Sequence, residues 1–396
     1  MKKWHQLRAF VRQYEQPIYT YLCIGIAYTL VFWTLLNSLL CIALAGFWLL
    51  FGRKNKEIAG TRKGFILLFT SLYLMAVAGL LYTTNMKEGM TILQQKSALL
   101  LFPVIFGTTQ FLTSQTTRAI LLHFLIATSL ASGTGFIYGL VKAIMSRNIK
   151  MLTNENLILF PDIYPYVMGI FCLLSIIILF QLLPSFSKNK QRLLYFLAIF
   201  LSLIIILLSI RLVIACWFII ILLMTFKNYI KGLYARLAVI LFLVAILIGS
   251  FITIPSLQAQ WKDLKDFSTT NTIQLDQDAS LGKSWGGKAI RLAIWKCSKD
   301  LIQKHWLAGV GTGDVQDSLQ VAYEDRQFYF ASRYNRYNTH NQYLQAWLTN
   351  GIVGLVLLIL CIFIPFTFYK KRHLTKCISS FFFILRHLLY RSHFRS

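Results

Sequence analysis

The chain alternates between long apolar stretches and short polar connections over most of its length. A helix needs about 20 apolar residues to cross a hydrocarbon core that is about 30 Å thick, and about ten stretches approach that length. The pattern predicts an all-α polytopic membrane bundle of about 10–12 transmembrane helices, the last of which would lie near 374–390. The other predicted spans are 18–34, 36–51, 64–82, 97–112, 119–142, 163–183, 193–209, 212–226, 237–255 and 343–369.

A polar segment at 258–342 interrupts this pattern before the stretch at 343–369. Inside it, apolar residues recur at helical spacing, which predicts an amphipathic helix over 288–304. The chain is therefore expected to consist of an N-terminal transmembrane bundle (1–257), one large helical loop (258–342) and C-terminal transmembrane helices (343–396). The residues on the apolar face of the amphipathic helix are Ile290, Ile294, Cys297 and Leu301.

Composition and charge exclude two classes of protein. With 57% hydrophobic and 14% charged residues, the chain is too apolar for a soluble globular domain. The net charge of +26 could indicate a nucleic-acid partner, but the basic residues lie mostly in short connections between spans. That placement is typical of cytoplasmic loops, so we expect no nucleic-acid partner. With a cytoplasmic N-terminus, the 258–342 segment would lie on the outer face.

Two arginines are candidates for binding an anion at that face. Arg211 separates the apolar runs 193–209 and 212–226, which predicts a tight hairpin that leaves the guanidinium near the outer interface. Arg291 lies on the predicted amphipathic helix. A guanidinium binds a phosphate bidentately, as a lysine cannot. The alternatives are an arginine that only anchors the hairpin and a solvated arginine on a polar helix face.

His340 is the candidate catalytic residue. The sequence Thr339-His340-Asn341-Gln342 has the form of a capping box before an apolar helical face, which predicts that His340 is the first residue of the last long helix. The positive end of the helix dipole would favour a neutral imidazole, the form that a general base needs. The alternative is a polar residue that only marks the membrane interface.

Other polar residues give weaker signals. Gly309, Gly311 and Gly313 follow a predicted helix and no strand, so we interpret them as a tight turn and not as a nucleotide-binding loop. Asp314 and Asp317 lack further ligands at metal-binding spacing. The seven cysteines are scattered and form no CxxC pair, so we expect neither a disulfide framework nor a metal site, and no cofactor.

Four sequence blocks resemble the shared domain of the O-antigen ligase and O-antigen polymerase superfamily, which also contains protein O-oligosaccharyltransferases. The resemblance covers about 211–356. The blocks are Arg291-Leu-Ala-Ile-Trp295, Leu307-Ala-Gly-Val-Gly-Thr-Gly313, Thr339-His-Asn-Gln-Tyr-Leu-Gln345 and Asn350-Gly-Ile-Val-Gly354.

The resemblance implies a metal-independent, inverting membrane glycosyltransferase similar to the type C architecture. It implies a donor glycan linked to undecaprenyl pyrophosphate and a location in the bacterial inner membrane, with the active site facing the periplasm. Arg211 and Arg291 would bind the pyrophosphate, and His340 would activate the acceptor hydroxyl. Arg333, Arg336 and Asn341 are additional candidates near His340.

The acceptor is the least determined part of this interpretation. The ligases have a histidine before the final long helix and a single dominant outer loop, and this chain resembles them in both features. We therefore favour transfer of O-antigen to lipid A-core, and we expect the protein to contact membrane lipids. An O-antigen polymerase or a protein O-oligosaccharyltransferase is the alternative. A transporter or flippase of an anionic lipid is the alternative that is not an enzyme.

Residues from 381 onward depart from the closing span that the superfamily has.

Overall fold

The computed structural model of the protein describes residues 2–52, 60–109, 111–160, 163–224, 232–253, 258 and 287–369. Within these ranges the regular structure is helical, and no β-strand is present. The helices are α1 (Lys2–Phe32), α2 (Thr34–Phe51), α3 (Gly60–Ala78), α4 (Met86–Lys96), α5 (Ala98–Thr108), α6 (Ser114–Ser146), α7 (Pro165–Leu182), α8 (Lys188–Leu207), α9 (Arg211–Met224), α10 (Leu233–Thr253), α11 (Gly287–Lys304), α12 (Val315–Asp325) and α13 (Gln342–Tyr369).

The chain divides into two compact units. Unit 1 comprises Met1–Phe51 and Gln115–Lys262, and therefore contains α1, α2, nearly all of α6, and α7 to α10. Unit 2 comprises Gly52–Ser114 and Asp263–Ser396, and contains α3 to α5 and α11 to α13. Each unit combines helices that are distant in sequence.

Seven helical segments within the described ranges are long and apolar enough to cross a membrane. They confirm the prediction of an all-α, multi-pass membrane protein. Many of their large apolar side chains are exposed, as expected for surfaces that contact lipid. The segments are Thr34–Phe51, Arg62–Tyr82, Met86–Thr108, Ser114–Ser146, Pro165–Ser185, Lys188–Leu207 and Gln342–Pro365. The predicted span at 374–390 lies outside the described residues.

Helices α8 and α9 form the tight hairpin that the sequence predicts. Helix α8 ends at Leu207 and α9 begins at Arg211, and between them Ser209 has a left-handed φ of 58°. The indole of Trp217 on α9 donates a hydrogen bond to Ser202 Oγ on α8, at 2.9 Å. These two residues lie at nearly equal distances from the turn along the chain, so the helices run antiparallel in unit 1.

The predicted span at 97–112 is wrong in its position. In the structure α5 has only 11 residues and would extend about 16 Å, which is too short to cross a hydrocarbon core. Helix α4 continues into α5 after Ser97, and Met86–Thr108 together form the candidate span. The sequence prediction omitted the first half of this span because Gln94, Gln95 and Lys96 are polar, as residues of a connecting loop usually are.

Helix α13 bends at Asn350 and Gly351, where both residues leave helical geometry. Gly351 has φ 64° and ψ −160°, a region that is essentially restricted to glycine. The bend is fixed from two sides of unit 2. The Asn350 side chain donates to the Met75 carbonyl on α3 at 2.7 Å, and the Ile352 amide donates to the Trp306 carbonyl at 2.9 Å.

Replacing Gly351 with alanine should destabilise unit 2 by at least about 2 kcal/mol, because a left-handed L-residue is strained and its Cβ would overlap the Leu307 carbonyl. Thermal unfolding of the purified protein measures the effect. The matched control is Gly64→Ala on α3, where nothing lies within 4 Å of the added Cβ. Equal melting temperatures for the two variants would contradict the account of the bend.

Candidate functional site

Helices α11 and α12 pack around a buried apolar core in unit 2, together with the start of α13. The predicted amphipathic helix is confirmed: Ile294 and Cys297 are fully buried, and Ile290 and Leu301 pack against the same core. Burial raises the pKa of the Cys297 thiol to about 11, so the thiol stays protonated and acts as a packing residue. The remaining buried members are Ala293, Ile302, Val315, Leu319, Ala322, Tyr323, Phe328, Ala331 and Leu348.

The glycine-rich loop between α11 and α12 is a structural turn, as the sequence predicts. Gly309 and Gly311 have φ values of 76° and 102°. The Gly311 amide donates to the Thr349 carbonyl of α13 at 3.2 Å, and the Thr312 amide donates to the Gly79 carbonyl at 3.2 Å. These amides are used in backbone contacts, so the loop has no phosphate-binding geometry.

Asp314 and Asp317 fasten the start of α12 to the turn before α4. The Asp314 carboxylate accepts hydrogen bonds from the Thr84 and Asn85 amides, both at 2.7 Å. The Asn85 side chain donates to Asp317 at 2.7 Å. Among the residues that the structure describes, no group of three or more histidine, cysteine or acidic side chains has the arrangement of a metal site. Both aspartates therefore act as structural anchors.

The segment that carries His340 is held by side chains from α11 and α12. The Trp295 indole of α11 donates to the Thr339 carbonyl at 3.0 Å. The hydroxyl of Tyr323 on α12 donates to the Tyr337 carbonyl at 3.1 Å. The His340 amide donates to the Asn338 side chain at 2.9 Å, so the peptide just before the imidazole is fixed from both sides.

Two aromatic rings lie next to each other at the candidate catalytic position, in a tilted arrangement. The ring centroids of Tyr337 and His340 lie 5.4 Å apart, with an angle of 60° between the ring planes. Burial raises the pKa of Tyr337, so its phenol stays protonated next to the imidazole. His340 is partly exposed and has a left-handed φ of 46°. The imidazole therefore contacts a protonated phenol on a residue that is partly exposed.

The prediction that His340 begins the last helix is wrong. Helix α13 begins at Gln342, and the Asn341 side chain caps it by accepting from the Tyr343 and Leu344 amides at 2.9 and 3.4 Å. Asparagine is one of the most favourable N-cap residues, and Asn341 caps α13 in place of Thr339. The Thr339 hydroxyl instead donates within the turn, to the Asn341 carbonyl at 3.0 Å. His340 precedes the cap, and Asn341 has a structural role.

Arg291 is exposed on α11, one helical turn before Trp295. Residues four apart on a helix are neighbours on its surface. Because Trp295 bonds to the Thr339 carbonyl, the helix that carries Arg291 is fixed directly to the segment that carries His340. Unit 2 therefore presents an accessible guanidinium and an accessible imidazole on one packed scaffold.

The additional candidates Arg333 and Arg336 both form ion pairs with acidic residues of α12. Arg333 lies 3.6 Å from Glu324 and also stacks on Tyr329, with its Cζ 4.3 Å from the ring centroid. Arg336 lies 3.5 Å from Asp317. All four charged side chains are about half exposed, so these pairs are weak and the arginines stay accessible to solvent.

Arg211 lies in unit 1, whereas Arg291 and His340 lie in unit 2. It is exposed at the first position of α9, directly after the hairpin turn. The cation therefore sits at a helix end and not within the apolar run, as the sequence predicts.

Sequence reasoning missed the residues that hold the site in place. Nothing local indicates that Trp295 bonds to the Thr339 carbonyl, since the two residues are 44 positions apart. The sequence alone could have identified Asn341 as the N-cap of α13, because asparagine directly before an apolar helix is a strong capping signal.

Comparison with known proteins gives one finding on the family. Residues 193–359 match the family model described as O-antigen ligase. That interval contains Arg211, Arg291 and His340. No curated protein and no solved structure matches the chain.

Proposed function

Because residues 193–359 match the family model described as O-antigen ligase, we propose that the protein transfers a glycan from undecaprenyl pyrophosphate to lipid A-core. The match supports a membrane glycosyltransferase of the O-antigen ligase or polymerase type. The donor, the acceptor and the residue roles are proposals. The observation that carries them is the family match itself, because it encloses Arg211, Arg291 and His340.

Arg211 and Arg291 are proposed to bind the diphosphate of the donor. The bond between the anomeric carbon and the pyrophosphate oxygen breaks during transfer, and negative charge develops on the leaving undecaprenyl pyrophosphate. A fixed guanidinium stabilises that charge electrostatically and can contact two phosphate oxygens at once. Both arginines are exposed, which leaves them accessible to such a ligand.

His340 is proposed to act as the general base. An acceptor hydroxyl attacks the anomeric carbon from the face opposite the pyrophosphate, which inverts that carbon and forms the new glycosidic bond. The hydroxyl proton passes to the imidazole. Support comes from the fixed backbone around His340 and from its accessible ring next to Tyr337, and not from the helix dipole, since His340 lies outside α13.

The proposed location is the bacterial inner membrane, with 258–342 and the active site facing the periplasm. The basic connections between spans support this orientation, because short cytoplasmic loops are enriched in lysine and arginine. A glycan assembled on a lipid carrier and transferred to lipid A-core would meet the enzyme on that side.

Two alternatives remain for the activity. An O-antigen polymerase or a protein O-oligosaccharyltransferase would use the same donor with another acceptor. A transporter of an anionic lipid would place its polar site near the bilayer midplane on broken helices. The positions of Arg211 at the start of α9 and of His340 before α13 favour catalysis, because both lie at helix ends.

The purified protein in lipid vesicles should transfer glycan from undecaprenyl pyrophosphate to lipid A-core in the presence of a chelator and without any nucleotide. Gel shift and mass analysis of the lipid product measure the new glycosidic bond. Parallel reactions offer a second donor molecule or a pilin-like protein as acceptor. Lipid A-core left unmodified while either of these gains glycan would move the protein to the corresponding alternative. If the chelator abolished transfer and a divalent ion restored it, metal independence would be contradicted.

A further inference from the structure

Lys96 lies inside a candidate membrane span, at a depth where lysine is rare. It is the last residue of α4, and the span Met86–Thr108 continues through α5. At about 1.5 Å per residue, Lys96 lies about 15 Å from Met86 and about 18 Å from Thr108. A charge at this depth costs free energy and usually marks a functional site. The family match begins at residue 193 and does not include it.

The helical spacing turns Lys96 towards the interior of unit 2. Gly89 and Leu93 precede it by seven and three positions, and Leu99 and Pro103 follow it by three and seven, so all four share its face. All four are buried. Lys87, on the opposite face of α4, is exposed. Lys96 itself is partly exposed, on the packed side of the span.

No carboxylate among the described residues forms an ion pair with Lys96. A helical side chain leans towards the N-terminus of its helix. The N-terminus of α4 is fastened to α12, where Asp314 binds the Thr84 and Asn85 amides. The side chain of Lys96 therefore leans towards the end of α4 that is fastened to α12.

We propose that Lys96 binds the phosphate of an anionic lipid within unit 2. A lipid phosphate is an anion that an ammonium group binds, and its acyl or prenyl chain suits the apolar surface of a membrane span. Undecaprenyl pyrophosphate and an anionic phospholipid share this chemistry. If the ligand is undecaprenyl pyrophosphate, the inference rests on the proposed function. Lys96 would then be a further cation, besides Arg211 and Arg291, that binds the diphosphate of the donor.

The test compares Lys96→Met with the wild-type protein in nanodiscs of a zwitterionic phospholipid. Two probes are titrated separately: undecaprenyl pyrophosphate without a glycan, and phosphatidylglycerol. Lys96→Met should weaken binding of at least one probe by about tenfold or more, as expected for a lost charge-assisted contact. Lys96→Arg should retain most of the affinity. The matched control Lys87→Met, on the exposed face of the same helix, should bind both probes like the wild type.

The two probes separate the sources of the phosphate. Weaker binding of undecaprenyl pyrophosphate assigns the position to the glycan donor, and weaker binding of phosphatidylglycerol alone assigns it to bulk phospholipid. Wild-type affinity of Lys96→Met for both probes overturns the inference. The melting temperature of Lys96→Met excludes misfolding as the cause of weaker binding. It should equal or exceed that of the wild type, because an apolar residue suits a membrane span better than a charged one. A wild-type protein that binds these lipids but transfers no glycan would contradict the proposed function and favour the transporter of an anionic lipid, whose site lies near the bilayer midplane, while the inference about Lys96 would stand.

Discussion

Alanine in place of Arg211 or Arg291 should lower glycan transfer by roughly 10²-fold or more in each case, because each guanidinium is proposed to stabilise the charge that develops on the departing pyrophosphate. Lysine at either position should restore only part of the activity, since a point charge cannot form two parallel hydrogen bonds to a phosphate. Initial rates of transfer by purified protein, at matched protein levels, measure both effects.

Matched controls lie on the same helix as Arg291 and in the same hairpin as Arg211. Lys296 is exposed on α11 like Arg291, and Arg192 is exposed on α8 within the α8–α9 hairpin that carries Arg211. Alanine at either control position should leave transfer nearly unchanged. Full activity in Arg211→Ala would assign that residue to anchoring of the hairpin, and full activity in Arg291→Ala would make it a solvated surface residue.

The features that the sequence predicted correctly depend on local patterns. The α8–α9 hairpin follows from two uncharged apolar runs that are together too long for one span, with Ser209 and Arg211 between them. The buried face of α11 follows from apolar residues at helical spacing. Each pattern lies within one continuous segment of the sequence.

The features that the sequence did not predict depend on distant partners. The span at Met86–Thr108 contains Gln94, Gln95 and Lys96, and only the packing of its buried face within unit 2 distinguishes it from a loop. The ion pairs of Arg333 and Arg336 with residues of α12 arise from the fold of the segment after α12. Local hydropathy carries no information on such contacts.

The start of α13 shows how a local prediction can fail as well. Thr339 and Asn341 both have side chains that can cap a helix, and the sequence offers a capping box for Thr339. The Trp295 indole takes the Thr339 carbonyl, and Asn341 accepts from the first free amides of α13. Asn341 is therefore the cap that the fold uses, and His340 lies before the helix with a left-handed backbone.

Replacing His340 should separate donor binding from turnover. If the imidazole takes the proton of the acceptor hydroxyl, His340→Ala should lose roughly 10²–10⁴-fold in transfer rate and still bind undecaprenyl pyrophosphate, because the arginines hold the diphosphate. His340→Gln should be nearly as inactive, since an amide cannot accept the proton. Alanine and glutamine are strained at the φ of 46°, so His340→Asn is the sharper variant, because asparagine tolerates the left-handed region. Near-normal turnover in a stable His340→Asn protein would mean that His340 only orients the acceptor and that the proton leaves to water or to the departing phosphate.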